Sequence, residues 1–588
     1  MPSARQGRAA RPARAVRRAA VLAAGAALLA PLAAAPASAA PSGAPAGAQG
    51  AGYDRYATVQ ILGINDFHGQ LEPPTGSSSR LTVLGPDGQT PQTLEPVGGA
   101  EYLATHVKQL RRDRDQDYSV FVSAGDNIGG TPFLSAAAKD EPTVEFLNGL
   151  GLFASSTGNH EYDEGLAELR RIQDGGCHPT EGCFGGDGFA GADFTYLSAN
   201  VVDEDTGRLV MPASAVKRFP KGVKVGFIGV PLKETPTIVS ASAIAGLQFT
   251  DEVAAIAKAS KELARRGVEA QVLLLHQGDS TGVALNTCST LPGAAGTIAR
   301  LAAAEVDAVF TGHSHQQYNC VVQGPDGRSR PVVQGAANGR IVSEIDLTID
   351  RRANDVVRPL TEALNHPVTR DVRPDRATTR LIAKYAEAIA PIAGREVGTI
   401  GGDITRAADA EGETPLGDLI ADAQLAATQD EGAQVALMNP GGVRADLVAA
   451  ESADGEAPGV VTYREAFTVQ PFGNVLVTQT MTGEELVAVL EQQEETGRLL
   501  QPSSTLTYAL AADGTVSDVR IAGEPVDPAA SYRVTVNNFL ADGGDGFTTL
   551  TEGEDRVYGA VDLDAFTDYL AANPGVTAPA TDRVRPAG

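Results

Sequence analysis

The chain has 588 residues, with 47 Lys or Arg against 73 Asp or Glu, a formal charge of −26 at pH 7. That length predicts two or more domains rather than one core. A surface this acidic repels polyanions, which argues against nucleic-acid polymers as partners and leaves an anionic substrate in need of metal ions or a few placed arginines.

The first forty residues are not fold material. Arg5, Arg8, Arg11, Arg14, Arg17 and Arg18 form a basic head, residues 19–32 an apolar run, and Ala37-Ser38-Ala39 a small-residue cleavage site. That is the pattern of a secretory signal over 1–39, and its apolar run is too short for a stable span. Arg17-Arg18 leaves twin-arginine export open, although the residues after it fit the ordinary secretory pattern better. Without the head, 41 basic residues face 73 acidic ones, about −32. No second long apolar stretch follows. The expectation is an exported monomer, secreted or loosely wall-associated, with no stable membrane insertion.

After a flexible spacer over 40–56, residues 57–64 form a β-rich run ending in Asn65-Asp66-Phe67-His68-Gly69. A helix is predicted over 99–112, with Ala100, Leu103, Ala104, Val107 and Leu110 on one stripe. A strand over 118–123 closes on Gly125-Asp126-Asn127, and the run Leu152-Phe153-Ala154 delivers Gly158-Asn159-His160-Glu161-Tyr162-Asp163 before a helix over 164–172. Further on come a strand over 224–230, a helix over 251–266 capped by Thr250 or Asp251, a strand over 271–275 with His276 at its tip, and a strand over 308–311 ending in Gly312-His313-Ser314-His315. Five strands thus present Asp, His or Asn at their exits. Doubly wound α/β sheets and four-layer α/β/β/α sandwiches both build sites this way.

The four cysteines of an exported chain suggest disulfides, and the pairs favoured are Cys177 with Cys183, inside the Gly-rich insert 174–193, and Cys288 with Cys320. A four-cysteine zinc site lacks its close C-x-x-C pairs.

Of eight histidines, His68, His160, His276, His313 and His315 sit at strand exits with Asp66, Asp126 and Asn159, a grouping hard to explain by packing. His106, His178 and His366 read as structural or solvated. Imidazole, carboxylate and amide oxygen suit Zn, Mn, Co or Fe. Seven donors exceed what one tetrahedral ion needs, whereas two ions about 3.5–4 Å apart, sharing a carboxylate, use them all and activate a water. His160 is then free to stabilise phosphoryl oxygens or protonate a leaving group, with Asp163 holding its ring.

Asp66-x-His68, Gly125-Asp126, Gly158-Asn159-His160-Glu161, His276 and Gly312-His313-x-His315, in this order, resemble the calcineurin-like metallophosphoesterase signature, and the Asn65-Asp66-Phe67-His68-Gly69 variant resembles the bacterial 5′-nucleotidase branch. The resemblance implies a four-layer α/β/β/α sandwich over 57–365, a linker with an interdomain helix over 366–395, and a smaller α/β nucleotide-binding domain over 396–588. It gives Asp66, His68 and His315 to one metal ion, Asn159, His276 and His313 to a second, Asp126 to both, and a catalytic dyad to His160 and Asp163.

In the second half, a helix is predicted over 378–389 between Pro374 and Pro391, another over 417–428, and a strand over 435–438 leading into Asn439-Pro440-Gly441-Gly442-Val443-Arg444, where a Gly-rich turn and an Arg suit a phosphate. Thr482-x-x-Glu485 is a capping-box pattern opening a helix over 482–492, and a strand over 532–536 precedes a Gly-rich loop. These segments resemble the substrate domain of 5′-nucleotidases, which implies that Phe472 and Phe539 sandwich a base, Asn439 and Arg444 lie near the phosphate, Asn474 near the base, and Asp545 at the ribose hydroxyls. One departure stands out: Glu411 occupies the approximate place of a phosphate-binding Arg in many relatives, leaving Arg406 as the nearest candidate.

The reading is a hydrolase that removes the 5′-phosphate from nucleoside monophosphates. Its rivals are a 2′,3′-cyclic-nucleotide phosphodiesterase with 3′-nucleotidase activity, a nucleotide-sugar or dinucleotide pyrophosphatase, and, more distantly, a non-catalytic nucleotide- or metal-binding module.

Overall fold

The computed structural model describes residues 55–587 apart from 187, 240–241 and 451–454; the expected signal and nearly all of the spacer lie outside them. Two sheets organise the first half. In one, β1 (Tyr56–Ile64), β2 (Ser119–Ser123) and β3 (Leu152–Ser156) run parallel, with Thr195–Leu197 beyond β3 and Ile341–Asp350 antiparallel on the far side of β1. In the other, β4 (Gln271–His276) and β5 (Val306–Thr311) lie parallel at the centre, between Lys224–Pro231 and Ser329–Gly335.

Strands buried on both faces read as near-continuous apolar runs, and these do. Val59, Ile61, Val120 and Val122 meet Val272, Leu274 and Phe310 between the sheets. Leu62, Ile64 and Phe121 turn instead to the helices Ala100–Arg112 and Glu141–Leu150. Leu273, Leu275 and Val309 face Glu252–Arg265 and Ala294–Leu301. The order is therefore helix, sheet, sheet, helix, which is the four-layer sandwich. The sheets approach closely enough that a Cβ on Gly63 would stand 2.5 Å from the Phe310 ring. Asp251 is the cap of its helix, accepting from the Ala254 N–H, so Thr250 is not.

The strand Glu362–Pro367 still pairs with Ile341–Asp350, carrying the first sheet two residues past 365. The interdomain helix α1 runs over Arg376–Ala393, through Pro391 rather than stopping before it. Proline there removes one helical hydrogen bond near the end, where little of the helix remains to be disrupted. Tyr385, Ile389 and Ala393 of α1 pack into the core of the first domain.

The second domain centres on a five-stranded sheet in the order Gln501–Pro502, Val435–Met438, Ser531–Asn537, Val475–Thr482, Glu554–Val561. Gly483–Thr496 packs with it in one cluster, Pro415–Ala427 and Asp562–Ala572 in another. The capping box of Thr482 and Glu485 forms in full. Tyr463 and Phe467 cross to the first domain and meet the Phe133 ring edge to face, at 6.2 and 5.4 Å. Both expected disulfides are present, which removes the four-cysteine zinc alternative. Among the described residues no helix is long and apolar enough to cross a membrane.

Candidate metal centre and interdomain cavity

The strand exits turn through left-handed backbone at Asp66 (φ 48°), His68 (45°), Asp126 (52°), His313 (68°) and His315 (55°). Each such residue costs about 1–3 kcal/mol unless its surroundings enforce it, and strain of this kind concentrates at functional sites. Main-chain bonds enforce it here. Asp66 N–H donates to the Gly125 carbonyl (3.0 Å) and His68 N–H to that of Asp126 (2.9 Å), joining the first two loops. Asn65 accepts the Gly335 N–H at 2.8 Å and donates to the Asp66 carboxylate at 2.6 Å. The His313 N–H donates to the same carboxylate at 2.9 Å.

Glu161 binds the second and third loops together. Its buried carboxylate accepts the main-chain N–H groups of Asp126 (2.9 Å), Asn127 (2.8 Å) and Gly158 (2.5 Å). Burial and the neighbouring Asp126 push it up to about 7.

The seven expected donors converge. Ligand atoms of Asp66, His68 and His315 lie within 4.8 Å of one another, as do those of Asp126, His276 and His313. Asp126 links the groups, its Oδ2 standing 3.0 Å from His276 Nε2 and 3.8 Å from His68 Nε2. The Asn159 side-chain oxygen is 3.1 Å from His313 Nδ1 and 3.2 Å from His276 Nε2.

Hydrogen bonds orient the rings. His68 Nδ1 donates to the Gly129 carbonyl (2.8 Å) and His276 Nδ1 to that of Ala124 (2.9 Å); since a carbonyl only accepts, each ring turns its Nε2 inward, the nitrogen left to meet a metal. His68 Nε2 then stands 3.2 Å from His315 Nε2, and His276 Nε2 faces carboxylate and amide oxygens. Lone pairs crowded in this way fit divalent cations. Burial holds His68 and His313 down to about 4, so both are neutral donors near pH 7. Burial also opposes charge on His276, but Asp126 outweighs it and lifts the ring to about 9, a proton that metal binding would release.

His160 differs from these rings. Its Nδ1 is 2.7 Å from Asp163 Oδ2 and its main-chain N–H donates to Asp126 Oδ1 at 3.0 Å. Burial disfavours its charge, while Asp163 and Asp126 outweigh burial and raise it to about 10. Another group, Glu164, Glu168 and His178, is equally close-set, but Arg171 on Glu168 at 2.7 Å and Lys139 at 3.8 Å from Glu164 already neutralise its acids. His106 bonds the Thr369 carbonyl and His366 the Glu344 carboxylate, as structural histidines do.

A cavity of about 430 Å³ opens from this centre into the second domain, lined by His160 and His313 on one side and by Arg444, Phe472, Phe539 and Asp545 on the other. Asn439 and Asn474 line it as well. Asn439 donates to Asp545 Oδ2 at 3.0 Å, and Asn474 to the buried Asp562 at 3.2 Å. The Phe472 ring lies nearly parallel to His160, 6.5 Å away, with the Arg444 guanidinium 5.7 Å from its centroid. Arg406 is not brought to the cavity: it pairs with Asp446 at 2.9 Å and donates to the Arg444 carbonyl at 2.8 Å.

Sequence reasoning missed Arg498, which lines the cavity and pairs with Asp545 at 2.7 Å. Arg498 follows the helix-capping Gly497 without any motif of its own. Sequence reasoning also gave Glu161 and Asn65 no role, although both lie inside the quoted motifs.

Residues 59–317 match the calcineurin-like phosphoesterase family and residues 394–552 the 5′-nucleotidase C-terminal domain. The chain is 32% identical over 537 residues to endonuclease YhcR of Bacillus subtilis, with 89% of this chain and 41% of that protein aligned. It is 32% identical over 552 residues to cell wall protein Lmo0130 of Listeria monocytogenes, covering 87% and 67%. It thus spans less than half of the first relative and about two thirds of the second. Among solved structures, a 5′-nucleotidase precursor from Thermus thermophilus superposes with a TM-score of 0.65 at 28% identity, over 90% of this chain and 99% of that one.

Proposed function

The chain belongs to the family that joins a calcineurin-like phosphoesterase domain to a 5′-nucleotidase C-terminal domain, and we propose that it is an exported, metal-dependent phosphomonoesterase acting on nucleoside 5′-monophosphates. The observation that carries this reading is the convergence of seven metal-type donors on one end of a cavity whose other end offers two phenylalanines, an arginine and a hydrogen-bonded Asp.

Asp66, His68 and His315 would hold one divalent ion and Asn159, His276 and His313 a second, with Asp126 shared; ions so held supply positive charge to phosphoryl oxygens and lower the pKa of an attacking water. The protein's own groups do the rest. Arg444 offers guanidinium N–H groups to a phosphoryl oxygen. His160, its ring fixed through Nδ1 by Asp163, is left with Nε2 as the donor that protonates the departing 5′-oxygen. Phe472 and Phe539 offer ring faces to the base, and Asp545, held by Asn439 and Arg498, accepts from ribose hydroxyls. The two disulfides fit an oxidising, extracytoplasmic location.

The test is phosphate release from AMP, 3′-AMP and cyclic 2′,3′-AMP by the processed protein after chelation, with single metals restored. Fastest metal-dependent release from AMP is expected. Faster turnover of either other substrate would overturn the 5′-monophosphate assignment.

A further inference from the structure

Ring faces stack on every base alike, so what tells one base from another is a polar group that meets its edge. Asn474 is such a group. It lines the interdomain cavity together with Phe472 and Phe539, and the left-handed Gly473 (φ 63°) turns the chain between the first ring and the amide. Hydrogen bonds hold that turn on both sides. The Asn474 carbonyl accepts the Asp562 N–H at 2.8 Å, and the Val475 N–H donates to the Asn538 side-chain oxygen at 2.8 Å.

Asp562 decides which end of the Asn474 amide the cavity meets. It is buried in the first turn of the helix Asp562–Ala572, which Leu563, Phe566 and Leu570 anchor in the core of the second domain. Asn474 Nδ2 donates to its Oδ2 at 3.2 Å, and the Leu563 N–H to its Oδ1 at 2.8 Å. Burial pushes the Asp562 carboxyl up to about 7 against the pull of these two donors; above that pH it is a carboxylate, which only accepts. The amide must then keep Nδ2 on the Asp562 side and Oδ1 on the other. No hydrogen bond among the described residues occupies that oxygen. With Nδ2 engaged, Asn474 meets the cavity as an acceptor.

We propose that Asp562 fixes Asn474 as a hydrogen-bond acceptor at the edge of the base, and that the cavity thereby selects 6-aminopurine and 4-aminopyrimidine nucleotides over their oxo counterparts. The inference rests on the nucleotide reading of the cavity. An exocyclic amino group donates to Asn474 Oδ1. A carbonyl oxygen in its place sets two acceptors against each other, both stripped of the water that would have satisfied them. An untethered amide would serve either base by turning over and presenting its nitrogen; the tie to Asp562 removes that option. Asp562 is therefore a positioning residue, acting on the base only through Asn474.

The experiment measures kcat/KM for AMP and IMP, and for CMP and UMP, with metal-loaded wild type, Asp562→Asn and Asn474→Ala at about pH 8, where Asp562 is ionised. The wild type is expected to prefer the amino member of each pair by about tenfold or more, mainly through KM. Asp562→Asn sets one amide against another, either of which can turn, so the preference should fall to within about threefold. Asn474→Ala removes the acceptor and leaves the helix anchor in place; it should lose the preference too, and it keeps the proposal open to refutation if Asp562→Asn does not fold. A wild-type ratio near one, or a ratio retained in either variant, would overturn the assignment, since a merely structural role lowers both members of a pair equally. Absence of AMP turnover by the wild type would instead overturn the monophosphate reading, so the two failures are distinguishable.

Discussion

Asp126 stands between the two donor groups, and its carboxylate reaches His68, His276 and the His160 N–H. Asp126→Ala should therefore abolish turnover and lower bound metal, read as metal content and AMP hydrolysis on the same sample; full activity with metal retained would contradict its role. The Glu161 carboxylate is taken up by main-chain N–H groups and holds the backbone of two donor-bearing loops. Outer partners of metal ligands typically contribute ten- to a hundredfold in metal affinity, so Glu161→Ala should weaken metal binding by about that factor while leaving bound-state kcat closer to wild type. The donors themselves were legible in the sequence because each stands at the end of a recognisable strand. Glu161 and Arg498 were not, because what defines them is contact with residues far along the chain: the main-chain N–H groups of Asp126 and Asn127, and Asp545.

At the scale of elements, the strands and helices were readable from apolar runs and stripes, and the differences arise where packing overrides local signals. Pro391 looked like a stop, yet α1 continues past it with Ala393 still buried in the core of the first domain. Gly63, unremarkable in sequence, permits the Phe310 ring of the facing sheet to approach. Gly63→Ala should cost about 1–3 kcal/mol by overpacking, measured by denaturant titration, and Phe310→Leu in that background should restore part of it. The C-terminal strand Val584–Pro586 is held by a carboxyl pair: Glu413 accepts the N–H groups of Arg583 and Val584, and the fully buried Asp418 faces Glu413. Burial and the neighbouring Glu413 carboxyl push Asp418 up to about 9, against the opposing pull of Arg583. The folded protein keeps that proton between the ordinary carboxyl value and about 9, whereas the unfolded chain gives it up, so this group's contribution to stability shrinks as pH rises through that window. Asp418→Asn, which is uncharged at every pH, should flatten the fall in thermal midpoint between about pH 5 and about pH 8.5; an unchanged slope would contradict the raised Asp418 carboxyl.

For the whole molecule, the two domains contribute opposite ends of one cavity, the metal donors from the first and the rings, Arg444 and Asp545 from the second. Replacing both Phe472 and Phe539 by Ala should raise KM for nucleotides while sparing a small aryl phosphate, which needs only the metal end; equal losses on both would remove the rings from base recognition. The two-domain order and the strand-exit site could be inferred from the chain alone, whereas the closed form of the cavity and the contact of Tyr463 and Phe467 with Phe133 exist only once the domains are folded against each other. In the proposed function, seven donors joined through Asp126 hold the two ions that AMP hydrolysis requires. Its most direct test is to strip the protein with a chelator, add back manganese or zinc in measured equivalents, and read bound metal and AMP turnover together. Turnover that needs two equivalents per chain, and is lost with the second in Asp126→Ala, is the expected result; full turnover at one equivalent, or without metal, would contradict it.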